Sequence, residues 1–322
     1  MTKPLSLEDG LSMVLSHDLG TTVTVGDLSA LGGGSSRSLW EFRATWNGAE
    51  KTLVLCRRDP GGNAAQAVRS EAAAIKAAAL AQVPVPKVYS VFPGDEPLGG
   101  PCLIMEKVDG ETLPRRILDS PRLEVARGGL ATQCGRALGR IHRIDPAALT
   151  GLPDSDRLSE YRLELDRVDR GRPALELGYR YLVEDRPRGL AQVLVHGDFR
   201  LGNLVVDDQG LRAVLDWESC HRGDPLEDLG WIAIKAWRFR GDGEVGGFGS
   251  ITDFLAGYEV ETGLAIEPET FRWALILNTW IWGVGTLMQA NRHLSASRRS
   301  PDLAVVGRRL PEIERDLLEI LP

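Results

Sequence analysis

Between positions 39 and 56 the chain alternates. Trp40, Phe42, Ala44 and Trp46 share one side of an extended run, Asn47-Gly48 is a two-residue hairpin turn, and Thr52-Leu53-Val54-Leu55-Cys56 returns as a second strand. Pro60-Gly61-Gly62 reads as a loop, and the Ala-rich stretch from Ala64 to Ala81, with Glu71 and Lys76 embedded, predicts a helix. Val83-Pro84-Val85-Pro86 stops it, and Cys102-Leu103-Ile104-Met105 is a short buried strand. From Leu113 the period turns helical, with an amphipathic helix over Leu130 to Ile144. Two short strands, Val193 to Val195 and Leu204 to Val206, break that pattern; the second returns through the turn at Asp207-Asp208-Gln209-Gly210 into Leu211 to Leu215. From Leu226 onward the chain reads as helix, apart from a flexible loop over Gly241 to Gly249. The prediction is an α+β protein with a small β-rich lobe over residues 1–107 and a larger, mainly helical lobe over 108–322, holding its ligand in the cleft between them.

Composition narrows this picture. With 322 residues the chain can bury a full core without staples. A net charge of −7 argues against nucleic acid as a partner, because phosphates demand a basic face. Cys56, Cys102, Cys134 and Cys220 form no CxxC pair, so neither a disulfide framework nor a zinc site is expected, and a reducing cytoplasm is the simplest home. The first residues carry Glu8 and Asp9 before any apolar run, with no signal peptide. Trp273 to Ala290 holds no charged residue, yet its Asn278, Thr279, Gln289 and two glycines mark a buried helix of a soluble protein rather than a membrane span.

The candidate chemistry lies in Val195-His196-Gly197-Asp198-Phe199-Arg200-Leu201-Gly202-Asn203-Leu204, followed by Val214-Leu215-Asp216-Trp217-Glu218. Asp198 and Asn203 end a short loop between strands, and Asp216 closes the strand that hairpins back from Leu204, returning to the side of Asn203. An amide oxygen and a carboxylate brought together are hard ligands suited to Mg²⁺. Asp198 is then left to orient a hydroxyl or accept its proton. His196 is expected to be structural, and Asp224 and Asp228 to cap and anchor the helix that follows and brace the loop; His142 reads as a packing or capping residue, and His17, His221 and His293 have no partner at ligand spacing.

These segments resemble the aminoglycoside phosphotransferase family, relatives of the protein kinases. His196-Gly197-Asp198 stands where protein kinases use His-Arg-Asp, and Asp198, Asn203 and Asp216 follow in the order base, metal ligand, metal ligand. Gly223-Asp224-Pro225-Leu226-Glu227-Asp228-Leu229 is similar to another segment of that family, and His-Gly-Asp-Phe-Arg with Leu-Asp-Trp-Glu is similar to the branch also found fused to acyl-CoA dehydrogenases. The resemblance implies a protein-kinase-like two-lobed fold and an ATP- and Mg²⁺-dependent transfer to the hydroxyl of a small molecule. The N-terminal lobe would hold the nucleotide and the C-terminal lobe the catalytic and acceptor sites. In the fused branch the acceptor hydroxyl sits on a small or acyl chain.

The same resemblance assigns nucleotide contacts. Gly33, Gly34, Ser35 and Ser36 would fold over the phosphates with backbone N–H groups and hydroxyls; no P-loop motif is present. In Val54-Leu55-Cys56-Arg57-Arg58, counting from the valine gives Arg57 the place of the phosphate-pairing lysine, with Glu71 as its partner; a slip of one residue would put Cys56 there. Alternation puts Leu53, Leu55 and Arg57 on one face and Val54, Cys56 and Arg58 on the other. Met105 to Gly110 fits the hinge, with the backbone of Glu106 and Val108 meeting adenine.

Asp216 to Gly223 is too short for a protein-kinase activation segment, which disfavours protein substrates. The acceptor is expected against C-terminal helices carrying Trp231, Trp237, Trp273, Trp280 and Trp282, residues that serve more often as core than as pocket. Two alternatives stand beside this reading. An antibiotic O-phosphotransferase would need an acidic or sugar-fitting acceptor pocket, and a regulatory pseudokinase would bind nucleotide without transferring it.

Overall fold

The computed structural model describes residues 5–31, 37–168, 171–295 and 300–322. Ser6 accepts the Asp9 N–H at 3.1 Å and so opens helix α1 (Leu7–Leu19), which sequence patterning had not separated from the strands around it. Strands β1 (Thr24–Leu31), β2 (Arg37–Trp46) and β3 (Ala49–Arg58) follow as an antiparallel meander. Asn47 and Gly48 have φ of 49° and 75°, the positive pair that a type I′ turn requires, which fixes the β2–β3 register from Trp46 opposite Ala49 to Arg37 opposite Arg58. Helix α2 (Ala64–Leu80) crosses the sheet, and β4 (Val88–Phe92) and β5 (Cys102–Glu106) complete the strand order β1-β2-β3-β5-β4.

The period of two assigns the faces of this sheet. Phe42, Ala44, Leu53, Leu55 and Ile104 pack against Leu11 and Leu15 of α1 in one core. Cys56 and Leu103 pack on the other side with Val68, Ala72 and Ile75 of α2. Burying each of the larger side chains contributes about 2 kcal/mol, so the alternation itself resists a register slip.

Lys107 to Gly110 leads from β5 into the larger lobe, where Glu111 and Val206 exchange backbone hydrogen bonds at 2.8 and 3.0 Å. That lobe contains α3 (Pro114–Asp119), α4 (Glu124–His142), α5 (Arg157–Val168), α6 (Pro173–Glu184) and the short strand β6 (Val193–Val195). The hairpin β7 (Leu204–Asp207) and β8 (Gly210–Val214) follows, then β9 (His221–Gly223), which pairs with β6. The remainder is α7 (Pro225–Trp231), α8 (Ile251–Thr262), α9 (Pro268–Leu294), α10 (Pro301–Gly307) and α11 (Leu310–Ile320).

Helix α9 is the axle of the lobe, with α5, α6, α7, α10 and α11 all packed on it. No helix among the described residues is long and apolar enough to cross a membrane; Trp273, Ile276, Leu277 and Trp280 of α9 are buried by its neighbours instead. The segment from Gly241 to Gly249 departs from expectation. Bridges join Gly243 to Gly247 and Val245 to Gly249, and Val245 is fully buried. A Cβ at Gly243 would strike the backbone of Gly249, so the glycines permit tight packing here rather than a loose loop.

Candidate active site

The loop between β6 and β7 begins with His196 and Gly197. Gly197 has φ of 85°, and a Cβ there would strike the Ser219 carbonyl, so the glycine allows the turn that carries Asp198 outward. His196 is wholly buried; its Nδ1 accepts the Asp198 N–H at 3.2 Å and its Nε2 meets the Leu215 carbonyl at 3.0 Å. These partners fix the neutral tautomer with the proton on Nε2, and burial lowers the imidazole pKa, which keeps it neutral. His196 braces the loop through these two bonds.

Asp228 holds the same loop from below. Its carboxylate accepts the N–H groups of His196 at 2.6 Å and Gly197 at 2.9 Å. Its Oδ2 also lies 3.2 Å from His142 Nε2, while His142 Nδ1 meets the Tyr258 hydroxyl at 3.0 Å. Complete burial opposes the charge on Asp228, but these hydrogen bonds and the nearby imidazoles outweigh it and hold its pKa down at about 2. His142 is thus a link in a buried relay from α8 to the loop rather than a helix cap. Asp224 caps α7, accepting the Leu226 N–H at 2.9 Å in a capping box with Glu227. His221 also has a partner, with its Nε2 2.8 Å from Glu227 Oε2.

Above this support the Asp198 carboxylate is gripped on three sides. Asn203 Nδ2 donates to Oδ2 at 2.6 Å, Trp231 Nε1 donates to Oδ1 at 2.7 Å, and Arg200 Nε lies 3.0 and 3.2 Å from the two oxygens. With its amide nitrogen on Asp198, Asn203 has its amide oxygen free for another partner. The Leu215 N–H bonds the Asn203 carbonyl at 2.8 Å, which brings the residue before Asp216 against the residue before β7. Asp216 follows in the left-handed region at φ 65°, a conformation its short polar side chain tolerates. Asn203 and Asp216 supply an amide oxygen and a carboxylate, a donor set that suits a hard divalent cation completed by phosphate and water.

A cluster of arginines and carboxylates joins the lobes at this point. Arg37, at the start of β2, contacts Asp216, donates to Glu71 at 2.8 Å and lies 3.1 Å from Glu218. Burial works against its charge, yet the three carboxylates prevail and raise its pKa above the ordinary arginine value. Glu71, on α2, receives its second arginine from Arg58, not Arg57: Arg58 to Glu71 is 2.9 Å. Arg57 faces the opposite side of the sheet, where it donates to the Leu98 carbonyl at 2.9 Å and stacks 4.3 Å over Trp40. The pairing expected of Arg57 with Glu71 is therefore corrected to Arg58, because pleating puts Cys56 and Arg58 on the α2 side and Leu55 and Arg57 on the α1 side. The Arg58 Nε is buried without a hydrogen-bond partner.

Gly33, Gly34, Ser35 and Ser36 lie outside the described residues. At the connection between lobes the Glu106 N–H is taken by the Lys87 carbonyl at 2.8 Å. Among the described residues the Val108 N–H has no backbone partner. The tryptophans divide into two groups. Trp273 and Trp280 are core residues whose indoles bond the Leu182 and Leu175 carbonyls at 3.2 and 2.8 Å. Trp231, Trp237 and Trp282 cluster beside Asp198, with Trp237 and Trp282 centroids 4.7 Å apart and Arg200 4.7 Å over Trp237. The sequence had not singled out Arg37, Arg58 or Arg200 as part of this site, and it named Trp231 only among five tryptophans of the acceptor side. Arg200 sits two residues from Asp198 and was legible; Arg37 and Trp231 arrive from distant elements.

This architecture is shared with solved proteins. Aminoglycoside 2′-phosphotransferase-IIIa in its GDP complex matches with a TM-score of 0.66 at 15% identity, over 97% of this chain and 98% of that one. Spectinomycin phosphotransferase in complex with ADP and spectinomycin matches with a TM-score of 0.64 at 13% identity, over 99% and 100%. In sequence, acyl-CoA dehydrogenase family member 10 of Mus musculus is 32% identical over 247 residues, which is 70% of this chain and 22% of that protein. The chain spans about a quarter of the length of the curated relatives it matches. The profile of the phosphotransferase enzyme family covers residues 27–263, from the first strand through the helix that carries Tyr258. With a two-lobed, kinase-like fold around these residues, the chain belongs to the phosphotransferase enzyme family.

Proposed function

We propose that the protein moves the γ-phosphoryl group of ATP to a hydroxyl of a small molecule, using Mg²⁺. The observation that carries this reading is the Asp198 carboxylate, held by Asn203, Trp231 and Arg200 beside the Asn203–Asp216 donor pair. In the transfer, the bond between the γ-phosphorus and the β–γ bridging oxygen breaks and a bond to the acceptor oxygen forms. The hydroxyl proton passes to Asp198, and ADP leaves. Asp198 orients the acceptor hydroxyl for in-line attack. Arg58, steadied by Glu71, takes the phosphate-pairing role. Asn203 and Asp216 would hold Mg²⁺, which when bound neutralises charge on the phosphates. The carbonyl of Glu106 and the N–H of Val108 would meet the adenine, with the lobes divided between Lys107 and Val108. Four free, buried cysteines support a reducing, cytoplasmic setting. A pseudokinase is less well supported, since Arg58 on Glu71 supplies the cation that Arg57 does not.

The test is a thermal-shift titration with ATP and with GTP, each with and without Mg²⁺. Saturable binding should stabilise the protein by about 3 kcal/mol at a hundredfold excess over Kd. The shift should depend on Mg²⁺ and vanish in Asp216→Ala. Absence of a shift with both nucleotides would overturn the reading.

A further inference from the structure

Arg37 stands directly opposite Arg58 in the β2–β3 ladder, so both guanidinium groups leave the sheet on the α2 side. Like charges facing each other across two strands repel, and such a pair is tolerated where anions lie between them. Two carboxylates do so here. Glu71 accepts from Arg37 at 2.8 Å with one oxygen and from Arg58 at 2.9 Å with the other. Glu218 lies 3.1 Å from Arg37 Nε and 3.7 Å from Arg58. Asp216 takes the remaining Arg37 nitrogen, so each nitrogen of this guanidinium group has a carboxylate of its own.

The three partners are not equivalent. Glu71 belongs to the same lobe as Arg37 and is 3% exposed, whereas Asp216 and Glu218 come from the other lobe and are 31% and 27% exposed. Glu71 is therefore a permanent partner, and the outer two contacts are weak enough in reach of water to be exchanged. Among the described residues Arg37 is the one hydrogen-bond or ion-pair partner of the Asp216 carboxylate. Two arginines against three carboxylates leave the cluster with one net negative charge; without Arg37 it would carry two.

We propose that Arg37 is the built-in counter-ion of the cation site and a second phosphate-binding residue. It neutralises Asp216 from across the cleft, and it turns from Asp216 and Glu218 to a phosphate oxygen when a divalent cation takes the Asp216 carboxylate. The inference rests on the reading of Asp216 as a metal ligand and of Arg58 as the phosphate-pairing cation. Position supports the exchange, because facing residues of paired strands lie about 5 Å apart and Glu71 keeps its hold on both arginines throughout. A phosphate group that reaches Arg58 is thus within reach of Arg37. The device couples the two ligands: a divalent cation arriving alone must compete with Arg37, and nucleotide phosphates relieve that competition.

Calorimetry on the full chain would measure the binding of Mn²⁺ alone and of ADP in EDTA, with the paramagnetic resonance signal of free Mn²⁺ as a second readout. In Arg37→Gln, loss of the competing charge should tighten Mn²⁺ binding at least tenfold, and loss of a phosphate donor should weaken ADP binding at least fivefold. Arg58→Gln removes the same charge without touching Asp216, so it should tighten Mn²⁺ less than threefold. The double variant Arg37→Gln, Asp216→Asn should lose the gain. The proposal is overturned by Mn²⁺ affinity that is absent, unchanged or weaker in Arg37→Gln, by an equal gain in Arg58→Gln, or by ADP affinity that Arg37→Gln leaves intact. Should Arg37→Gln fail to fold, Arg37→Lys keeps the charge but cannot span three carboxylates; it should show both shifts at about threefold, and wild-type values would refute the role. Failure of ADP to bind the wild type would instead defeat the nucleotide reading. The Mn²⁺ titrations then still decide the counter-ion: a gain in Arg37→Gln that Asp216→Asn abolishes supports it, and no gain refutes it.

Discussion

The indole of Trp231 donates to Asp198 Oδ1 at 2.7 Å across 33 residues of sequence, and that bond makes a residue of α7 part of the geometry of this carboxylate. A carboxylate fixed by Trp231 and Asn203 presents its remaining lone pairs in one direction, which is what in-line positioning demands.

Asp198→Asn should lower phosphoryl transfer at least a thousandfold while the Kd for nucleotide stays within a factor of two. Trp231→Phe, which keeps the ring and removes the donor, should lower kcat about tenfold with nucleotide affinity unchanged. Single-turnover transfer and equilibrium binding on the same preparations measure both. Undiminished turnover in Asp198→Asn would refute its role.

The two adjacent arginines of β3 should behave differently. Arg58→Ala should weaken nucleotide binding about tenfold or more, and Glu71→Gln should do the same by releasing Arg58 and Arg37. Arg57→Ala, on the α1 side, should leave nucleotide affinity unaltered and cost only stability, through loss of the Trp40 stack and the Leu98 contact. Titration with ATP and denaturation of each variant would separate them, and equal nucleotide defects at 57 and 58 would contradict the assignment of faces.

Asp228 sets an acid limit on stability. Its folded pKa, about 2, lies below the ordinary value of 3.8, so the ionised form is favoured by folding. The contribution, about 2 kcal/mol, is therefore fully present above pH 5 and lost as pH falls through 4 towards 2. Asp228→Asn should destabilise the protein near neutrality, and the gap to wild type should narrow over that acid range. Urea denaturation at stepped pH would measure it; a gap independent of pH would show that the charge is not what matters.

The four cysteines should be inert until the protein unfolds. Burial pushes the thiols of Cys56, Cys102 and Cys220 up to about 12, and raises that of Cys134 as well. A chromogenic disulfide reagent at pH 8 should leave the native protein unlabelled and react with four thiols in denaturant. Rapid labelling of the native state would mean that a cysteine is reached through local opening.

Much of this was legible in the chain. Alternation around Asn47-Gly48 located the hairpin, and the spacing of Asp198, Asn203 and Asp216 located the loop on which the candidate site is built, because each depends on neighbours within a few residues. The arginine on Glu71 was misplaced by one position, since either face of β3 ends in an arginine and only the packing of α2 distinguishes them. The contacts of Arg37 and of Trp231, a residue named only among five acceptor-side tryptophans, were invisible for another reason: their partners lie 179 and 33 residues away, and no local pattern records such a meeting. The glycines between 241 and 249 misled because their composition signals freedom, whereas here they allow backbones to touch.

The relay from Tyr258 through His142 and Asp228 to the N–H groups of His196 and Gly197 has a consequence for how substitutions in this chain will be interpreted. Tyr258 is a buried residue of α8, so a survey scoring abundance alone would class it with ordinary core positions. Its loss would also unseat the hydrogen-bond chain under the loop that carries Asp198. Variants of α8 that remain abundant yet lose turnover would therefore be the signature of this buried chain, and distance from the cleft would be a poor guide to which positions the reaction tolerates.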